Sequence, residues 1–258
     1  MPTNYAKKQA LVELQETLYK SRNETRRWLH CTRRNWIISA IHKYAPGTPA
    51  EAALEVGPGS GIYLPVLSKL FSKVIAVDIE HAYLEHVKLL LPKYQNISLL
   101  IDDMISSKLA DGSFDLVLCS EVIEHTKFSS TMLKEINRIL KPGGILILST
   151  PQRYSTLELT ARFALLPGII QLVKWIYNEP VSETGHINLM TDITVKHQLK
   201  EACFETLECH KSGLYLPFIA EFFGIKGLQL EQWIEKQLID RRSDKLLWTQ
   251  YYVARKSK

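Results

Sequence analysis

The 258-residue sequence contains only four cysteines, and no pair of them has the spacing of a metal site. So few cysteines in a chain of this length are typical of reduced thiols, and we predict a cytoplasmic protein without structural disulfides. The sequence also lacks a secretory signal segment and a run of about 20 apolar residues that could span a bilayer. These absences restrict any membrane role to peripheral contact at the membrane surface.

The sequence also has no large excess of charge of either sign. The formal net charge is +5, and charged residues make up 23% of the chain. This balance excludes a globally basic nucleic-acid binder, so we expect no DNA partner and disfavour RNA. Much of the basic excess is local and lies in Lys20, Arg22, Arg26, Arg27, Arg33 and Arg34.

What the sequence does contain is an alternation of strand and helix patterns after an N-terminal segment, 6–43, that is predicted to be helical. Continuous apolar runs separated by helical segments indicate a parallel sheet covered on both faces, with a doubly wound α/β fold. In such sheets ligands bind beyond the carboxyl ends of the strands. The predicted strands are 52–56, 73–79, 97–103, 114–120 and 145–150.

The strongest single signal is the segment EVGPGSG, residues 55–61, which follows a buried strand and opens a helix. Glycines let the backbone approach a ligand where a Cβ would clash. A dinucleotide site requires G-x-G-x-x-G, and Ile62 occupies the position of its last glycine. Glu55 would repel a pyrophosphate but suits a cationic ligand.

Acidic residues stand at the ends of the other strands, at Asp78, Asp102, Asp103 and Glu121. The carboxyl ends of parallel strands meet at one edge of the sheet, beside the glycine loop. Four such acids favour a ligand with positive charge and several hydrogen-bond donors over solvated loop acids or helix N-caps. S-adenosylmethionine (SAM) has a sulfonium, an ammonium, two ribose hydroxyls and an adenine amine, and it matches this description.

Five segments resemble, in order and spacing, the motifs of class I SAM-dependent methyltransferases: ALEVGPGSG, VIAVDIE, LIDDM, FDLVLCSEVIEH and LKPGGILILSTP. The resemblance covers about residues 50–152, is weaker over 186–212, and is closest to ubiquinone- and menaquinone-pathway enzymes. It implies a Rossmann-like sheet of seven strands with an antiparallel last strand, and an enzyme that transfers the methyl group of SAM. It also implies a methyltransferase domain at 47–258 after an N-terminal helical extension at 1–46.

The resemblance implies individual cofactor roles. The residues placed at the methionine end of SAM are Arg33, Glu55, Gly57, Pro58, Gly59, Gly61 and Glu121. Arg34 is an alternative to Arg33 for the SAM carboxylate, and Pro58 replaces a commoner cysteine or threonine. The residues placed at the nucleoside end are Asp78 for the ribose, Ile79 against adenine, Asp103 for the adenine amine and Met104 for a backbone contact. Asp102 competes with Asp103, but the position directly before Met104 favours Asp103.

The family fixes no catalytic residue, because methyl transfer depends mainly on holding the acceptor against the cofactor. The E-x-x-E-H run at 121–125 resembles a divalent-metal motif of ubiquinone-pathway O-methyltransferases and small-RNA 2′-O-methyltransferases. It implies a site for an ion such as Mg²⁺ on Glu121, Glu124 and His125, whereas in relatives without metal this histidine orients the next helix. The candidate catalytic residues are His125 and His186, and His186 is alternatively a further ligand or a surface histidine.

Two apolar insertions, at about 155–185 and 214–243, interrupt the core pattern, and 155–178 is predicted to form a helical lid. Together they favour a hydrophobic acceptor pocket, with a homodimer interface or a larger core as the alternative. Segment 21–37 combines arginine pairs with tryptophans. It is interpreted as a cofactor-contacting helix, a membrane-surface helix, or a basic face with core tryptophans.

The leading functional hypothesis is SAM-dependent methyl transfer to an oxygen of a small hydrophobic or lipid-linked acceptor. One alternative is a metal-assisted RNA 2′-O-methyltransferase that uses the acidic motif and the arginine-rich segment. Another is a non-catalytic SAM-binding or membrane-associated protein. A nicotinamide oxidoreductase is disfavoured by Ile62 and Glu55.

Overall fold

The computed structural model describes residues 18–47, 50–164 and 186–257. Its strands are β1 Ala50–Val56, β2 Phe71–Asp78, β3 Ile97–Ile101, β4 Phe114–Ser120, β5 Leu140–Pro151, β6 Phe204–Ser212 and β7 Thr249–Lys256. Its α-helices are α1 Glu24–Tyr44, α2 Leu64–Leu70, α3 His81–Val87, α4 Ser129–Ile139, α5 Thr156–Ala164, α6 Asp192–Glu201, α7 Pro217–Phe222 and α8 Gly224–Leu238. Short 3₁₀ helices cover Lys88–Lys93, Ile123–His125 and Arg242–Leu246.

The strands form one seven-stranded sheet in the order β3-β2-β1-β4-β5-β7-β6. The first five strands in the chain pair in parallel, and β7 pairs antiparallel with both β5 and β6. The predicted fold class, a doubly wound α/β sheet with an antiparallel last strand, is confirmed. The order reverses direction between β1 and β4, and ligands of open α/β sheets bind at such a point.

Helices cover both faces of the sheet, which is why the central strands are mostly apolar. On one face α4 and α6 contribute buried side chains such as Leu133 and Leu199 to one core cluster. On the other face α1 and α2 contribute Ile37, Ile41 and Leu67 to a second cluster. The rigid sheet between these layers fixes the positions of the strand ends that carry the candidate site.

The observed elements differ from the predicted ones mainly at their ends. The helix predicted over 60–71 begins only at Leu64, because the preceding glycine segment forms a turn. The helix predicted over 80–93 is divided into α3 and a 3₁₀ helix that contains Pro92. Helix α6 was not predicted at all. Strand β4 has the predicted bounds.

Both predicted insertions are helical where the structure describes them. Helix α5 falls within the predicted lid, while residues 165–185 lie outside the described residues, so the rest of the lid stays a prediction. The second insertion contains α7 and α8, which pack against α1. Thr25 of α1 donates a hydrogen bond of 2.5 Å to Glu231 of α8, and both side chains are buried.

The apolar residues of α1 face the protein interior, which disagrees with the interpretation of 21–37 as a helix lying on a membrane. Leu29 and Ile37 are buried, and the ring of Trp36 lies 4.6 Å from that of Tyr251. The structure agrees with the alternative of core tryptophans, together with one arginine directed at the candidate site. None of the helices that the structure describes has both the length and the apolar character needed to cross a bilayer.

Candidate cofactor site

A cavity of about 460 Å³ opens at the carboxyl edge of the sheet, beyond the ends of β1, β2, β3 and β4. Most of the predicted cofactor residues line it: Gly57, Gly59, Asp78, Ile79, Asp103, Met104 and Glu121. Volumes of this size are typical of small-molecule and cofactor sites. The strand ends therefore bring the predicted residues together, as the parallel topology required.

The glycine segment forms a tight turn directly after β1. Gly57, Gly59 and Gly61 have φ angles of 63°, 52° and 72°, a region that favours glycine. The Gly57 N–H donates to the carbonyl of Val77 at 2.8 Å, and the Gly61 N–H donates to the carbonyl of Pro58 at 2.7 Å. A Cβ on Gly57 would lie 2.6 Å from Val122 Cγ2. Pro58 and Gly61 thus shape the turn without lining the cavity.

Glu55 lies beneath this turn and is almost fully buried. Its Oε2 atom has no hydrogen-bond partner among the described residues. Burial raises the pKa of Glu55 to about 8, since a carboxylate is costly in a medium of low polarity. A buried carboxyl group without a partner next to a cavity is the arrangement that a cationic ligand would relieve.

At the nucleoside end of the cavity the structure distinguishes Asp102 from Asp103. Both oxygens of Asp102 are used within its own loop, accepting from the Asp103 N–H, the Ser107 hydroxyl and the Lys108 N–H. Asp103 accepts from the Ile105 N–H through Oδ1. Asp103 Oδ2 accepts no hydrogen bond from any described residue. It is therefore better placed than Asp102 to accept from an adenine amine, in agreement with the sequence-based prediction.

The residues predicted to contact the ribose and the adenine, Asp78 and Ile79, lie at the carboxyl end of β2. Asp78 accepts a hydrogen bond of 2.8 Å from the Glu80 N–H, which orients its carboxylate at the cavity. Ile79 lines the cavity, and 62% of its surface is exposed. An apolar side chain left exposed at this position suits a flat aromatic ligand, and Met104 forms a buried part of the same wall.

Glu121, at the end of β4, joins the site to α1. Its backbone has φ 58°, a strained conformation for a residue other than glycine. Its carboxylate accepts 2.6 Å from Arg33 Nη1 and 2.9 Å from the Ser149 hydroxyl. Burial disfavours the charge on Arg33, but Glu121 and neighbouring tyrosines keep its pKa above the ordinary value. Arg33 is directed at Glu121, whereas Arg34 donates to Asn35, and binding of the SAM carboxylate by either arginine stays a prediction.

A second group of ligand-type side chains borders the cavity. Donor atoms of Glu124, His125 and His186 lie within 4.8 Å of one another, and the rings of the two histidines are 5.3 Å apart. Glu124 is buried: one oxygen accepts from the Thr150 hydroxyl at 3.0 Å, and the other has no hydrogen-bond partner among described residues. Burial, and then the negative charge of Glu121, raise the pKa of Glu124.

This grouping differs from the predicted metal set in one member. The sequence motif named Glu121, Glu124 and His125, whereas the structure groups Glu124 and His125 with His186 and engages Glu121 with Arg33. The backbone N–H groups of Ile187 and Asn188 both donate to the Glu124 carbonyl at 3.0 Å, which holds the His186 segment in place. The possibility that His186 is a further ligand agrees with this geometry.

Three buried polar residues near this edge could not be identified from the sequence: Gln152, Trp248 and Thr249. Neither amide atom of Gln152 has a hydrogen-bond partner in the described part of the chain, and the same holds for Trp248 Nε1 and Thr249 Oγ1. The Gln152 N–H donates to the Trp248 carbonyl at 2.6 Å, and the Arg33 guanidinium lies 4.9 Å from the Trp248 ring. They belong to no sequence motif. They stand out only because they are buried, and burial cannot be read from the sequence.

The comparisons with known proteins agree with this geometry. A family model described as a methyltransferase domain matches residues 54–148. The "Probable S-adenosylmethionine-dependent methyltransferase" of Mycobacterium tuberculosis is 30% identical over 121 residues, which cover 47% of this chain and 42% of that protein. The ubiquinone biosynthesis O-methyltransferase of Nitrosococcus oceani is 32% identical over 122 residues, covering 43% of this chain and 50% of that protein. The chain thus spans half or less of the length of these curated relatives.

Solved structures support the fold. The N-methyltransferase NodS of Bradyrhizobium japonicum, solved in complex with S-adenosyl-L-homocysteine (SAH), matches with a TM-score of 0.56 at 14% identity. The match covers 96% of this chain and 98% of that chain. The sheet order, the residues that line the cavity and the family match over residues 54–148 all agree with the resemblance to SAM-dependent methyltransferases.

Proposed function

We propose that this protein transfers the methyl group of SAM to an oxygen atom of a small hydrophobic or lipid-linked acceptor. The observation that carries the proposal is the row of carboxylates that line the cavity, which includes Asp78, Asp103 and Glu121. Glu55 does not line the cavity but lies buried beneath the adjoining glycine turn, with one oxygen lacking a partner among the described residues. The similarity to ubiquinone biosynthesis O-methyltransferases supports oxygen as the target and a hydrophobic acceptor. The apolar residues of α5 and of the second insertion, which follow the carboxyl ends of β5 and β6, support an acceptor of that character.

The residues of the cavity fit SAM. Glu55 would offer its carboxylate to the cationic methionine end, while the turn at Gly57 and Gly59 lets the backbone approach it. Asp78 and Asp103 would accept from the ribose hydroxyls and the adenine amine, and Ile79 would cover the adenine ring. When bound, SAM supplies the electrophilic methyl group. The protein's task is to orient it and to hold the acceptor oxygen roughly 3 Å from that methyl group.

We assign acceptor binding to buried polar atoms at the end of β5 and the start of β7, close to Arg33, the partner of the cavity-lining Glu121. Gln152 offers both a donor and an acceptor, and Trp248 offers a donor, all buried and unpartnered among the described residues. Such groups bind a matching oxygen-bearing ligand well and reject an analogue that lacks the oxygen. His125 lines the cavity and, when it is not bound to a metal ion, would accept the proton that an acceptor hydroxyl loses.

A divalent cation is proposed for the group formed by Glu124, His125 and His186. The fit rests on the unpartnered buried oxygen of Glu124 and on the separation of the donor atoms, which allows all three to reach one ion. Carboxylate and imidazole ligands suit Mn²⁺, Fe²⁺ or Zn²⁺ at least as well as Mg²⁺. Such an ion would lower the pKa of a bound hydroxyl.

The cation proposal predicts a binding event that does not depend on activity. Titration of Mn²⁺ into the full chain, followed by electron paramagnetic resonance of the free ion, should show one bound ion per chain. His186→Ala should weaken that binding by more than about tenfold, as is typical of the loss of one ligand. His197→Ala, which removes an exposed histidine on α6, is the matched control. Equal binding by both variants would contradict the assignment.

An RNA 2′-O-methyltransferase is the second candidate, and the same Glu124–His125–His186 group favours it. The arginine-rich segment offers less support, because Arg33 is directed inward at Glu121 and Arg27 pairs with Glu24. A non-catalytic SAM-binding protein is the third candidate. A transfer assay distinguishes the three, because the first methylates a small molecule, the second methylates RNA and the third methylates neither.

The experiment that tests the proposal is transfer of a labelled methyl group from SAM to a series of alkyl catechols, with structured RNA in parallel. We expect transfer to a catechol oxygen, with kcat/KM rising as the alkyl chain lengthens, because a hydrophobic pocket gains binding energy with each buried methylene. Transfer to RNA alone would replace the proposal by the second candidate. No transfer to any acceptor, with SAM bound, would favour the third.

A further inference from the structure

Helices α7 and α8 expose a set of large apolar side chains that has no counterpart elsewhere in the described residues. Phe218 and Phe222 are 75% and 67% exposed, and Trp233 is 62% exposed. The five residues 222–226, at the corner between the two helices, are all exposed. The exposed apolar residues of this surface, called here the α7–α8 face, are Phe218, Phe222, Phe223, Ile225, Leu230 and Trp233.

Helix α8 reverses the usual arrangement of polar and apolar residues. Its buried positions include Glu231 and Glu235. Glu231 accepts from the Thr25 hydroxyl and the Leu216 N–H, and Glu235 accepts from the N–H groups of Gly213 and Leu214. Trp233 points to the opposite side, since residues two apart lie far apart around a helix. Hydrogen bonds therefore anchor α8, while its apolar residues Ile225, Leu230 and Trp233 are exposed.

The charges around the α7–α8 face have one sign. Within Pro217–Leu238, a range that the structure describes in full, the exposed ionisable residues are Lys226 and Lys236. The glutamates of this range are partly or fully buried and hydrogen-bonded; Glu221, for example, accepts from Asn23. That hydrogen bond also brings the start of α1 beside α7, so the exposed Lys20 and Arg22 precede this contact in the chain.

We propose that the α7–α8 face is a membrane-docking surface, whose partner is the headgroup layer of a bilayer that carries anionic lipids. Phenylalanine and tryptophan side chains flanked by lysines are the composition that binds at the boundary between headgroups and acyl chains. The lysines complement the negative surface of such a bilayer. The inference goes beyond methyl transfer and does not depend on it, although it would bring the protein to acceptors dissolved in the membrane.

This surface differs from the arginine-rich helix that the sequence suggested for membrane contact. In α1 the apolar residues are packed inside, whereas on the α7–α8 face they are outside. A second copy of the chain is the other partner that an apolar face could accept. A symmetric interface would bring together two surfaces that carry the same positive charge, which is unfavourable. The charge therefore selects the anionic bilayer.

The test is co-sedimentation of the full chain with vesicles of phosphatidylcholine alone, or with phosphatidylglycerol added. The variant Phe222→Ser/Phe223→Ser/Trp233→Ser should lower the partition coefficient by about 100-fold or more, since each partly buried aromatic contributes on the order of tenfold. Lys226→Glu/Lys236→Glu should remove the preference for anionic vesicles, at about fivefold per lysine. Ile193→Ser, at a 77% exposed site on α6, is the control and should bind as the unaltered chain does.

SAH binding by calorimetry on the same samples shows that each variant is folded, and separates this inference from the proposed methyl transfer. Failure of SAH binding in the unaltered chain would count against the proposed function alone. Absence of vesicle binding, or equal binding by the triple variant and the control, would overturn the docking surface. Concentration-dependent dimerisation that the triple variant loses, without vesicle binding, would assign the face to a second copy.

Discussion

At the residue scale, the behaviour of the candidate site is concentrated in a few side chains held in unfavourable states. Glu55 is buried without a partner, and Glu121 has a left-handed backbone. Gly57 is surrounded so closely that a Cβ would contact Val122. Such states persist only where the surrounding fold imposes them, and they concentrate at functional sites.

The raised pKa of Glu55 predicts that SAM affinity depends on pH. With a pKa of about 8 in the free protein, Glu55 is largely protonated at pH 6, and binding a cation beside it must release that proton. Affinity should therefore rise between pH 6 and 8, by up to about tenfold per pH unit. Glu55→Gln should bind SAM weakly, with a flat pH profile in calorimetry. A slope that survives the substitution would assign the effect to another group.

The raised pKa of Glu55 also determines how the stability of the folded protein changes with pH. Because the folded pKa of Glu55 lies above its ordinary value of 4.5, the unfolded chain releases the proton first as pH rises. This group therefore makes the ligand-free protein less stable as pH rises from about 4.5 to 8. Urea denaturation should show Glu55→Gln losing less stability than the unaltered chain over that interval.

Gly57 gives a second prediction at this scale. Gly57→Ala should destabilise the fold by about 2–5 kcal/mol, because backbone strain is added to the contact with Val122. Gly112→Ala is the matched control: its φ is 57°, close to the 63° of Gly57, but a Cβ there would meet nothing within 4 Å. It should cost only the backbone strain, about 1 kcal/mol. Similar midpoints of urea unfolding for the two variants would show that the contact with Val122 is unimportant.

At the scale of elements, α8 is the helix whose packing is least expected from its sequence. Its buried glutamates act as hydrogen-bond acceptors for backbone N–H groups of the chain after β6. Glu235→Leu should therefore cost on the order of 3 kcal/mol, because two buried N–H groups lose their acceptor. Lys236→Ala, at the exposed neighbouring position, should change stability by less than about 0.5 kcal/mol. Thermal unfolding of the two variants measures the difference.

The helices and strands differ in how well they could be predicted from their sequences. The strands from β1 to β5 could be predicted because continuous apolar runs between turn signals have few other interpretations. Helix α6 was missed because only Val195 and Leu199 of it are buried, too few for a clear helical period. The orientation of α8 could not be predicted either, since it buries Glu231 and Glu235 and exposes Ile225, Leu230 and Trp233.

At the scale of the whole molecule, the site is assembled from residues that are distant in the chain. Parallel strand ends meet at one edge, so the acids from Glu55 to Glu121 could be placed together from the sequence. The meeting of Glu124 with His186 depends on a segment 62 residues later hydrogen-bonding to the Glu124 carbonyl, through Ile187 and Asn188. That contact, and the unpartnered amide of Gln152, follow from tertiary packing, which no local pattern encodes.

Ligand binding should stabilise the whole domain. If SAM binds as proposed, it would contact several strand ends at once, and it should therefore bind the folded state and not the unfolded chain. At a SAH concentration 100 times its Kd, the free energy of unfolding should rise by about 2.7 kcal/mol. Differential scanning fluorimetry should show this as an increase in Tm that grows with the logarithm of SAH concentration. No increase would mean that the cavity is not the binding site.

The central claim is that the acidic rim of the sheet accepts a cation-bearing nucleoside and not a dinucleotide. Calorimetric titration of SAM and of NAD into the same preparation tests it most directly, with Gly59→Arg as the variant that fills the cavity. We expect one SAM site per chain, no heat from NAD, and no SAM binding by Gly59→Arg. Binding of NAD without binding of SAM would contradict the claim.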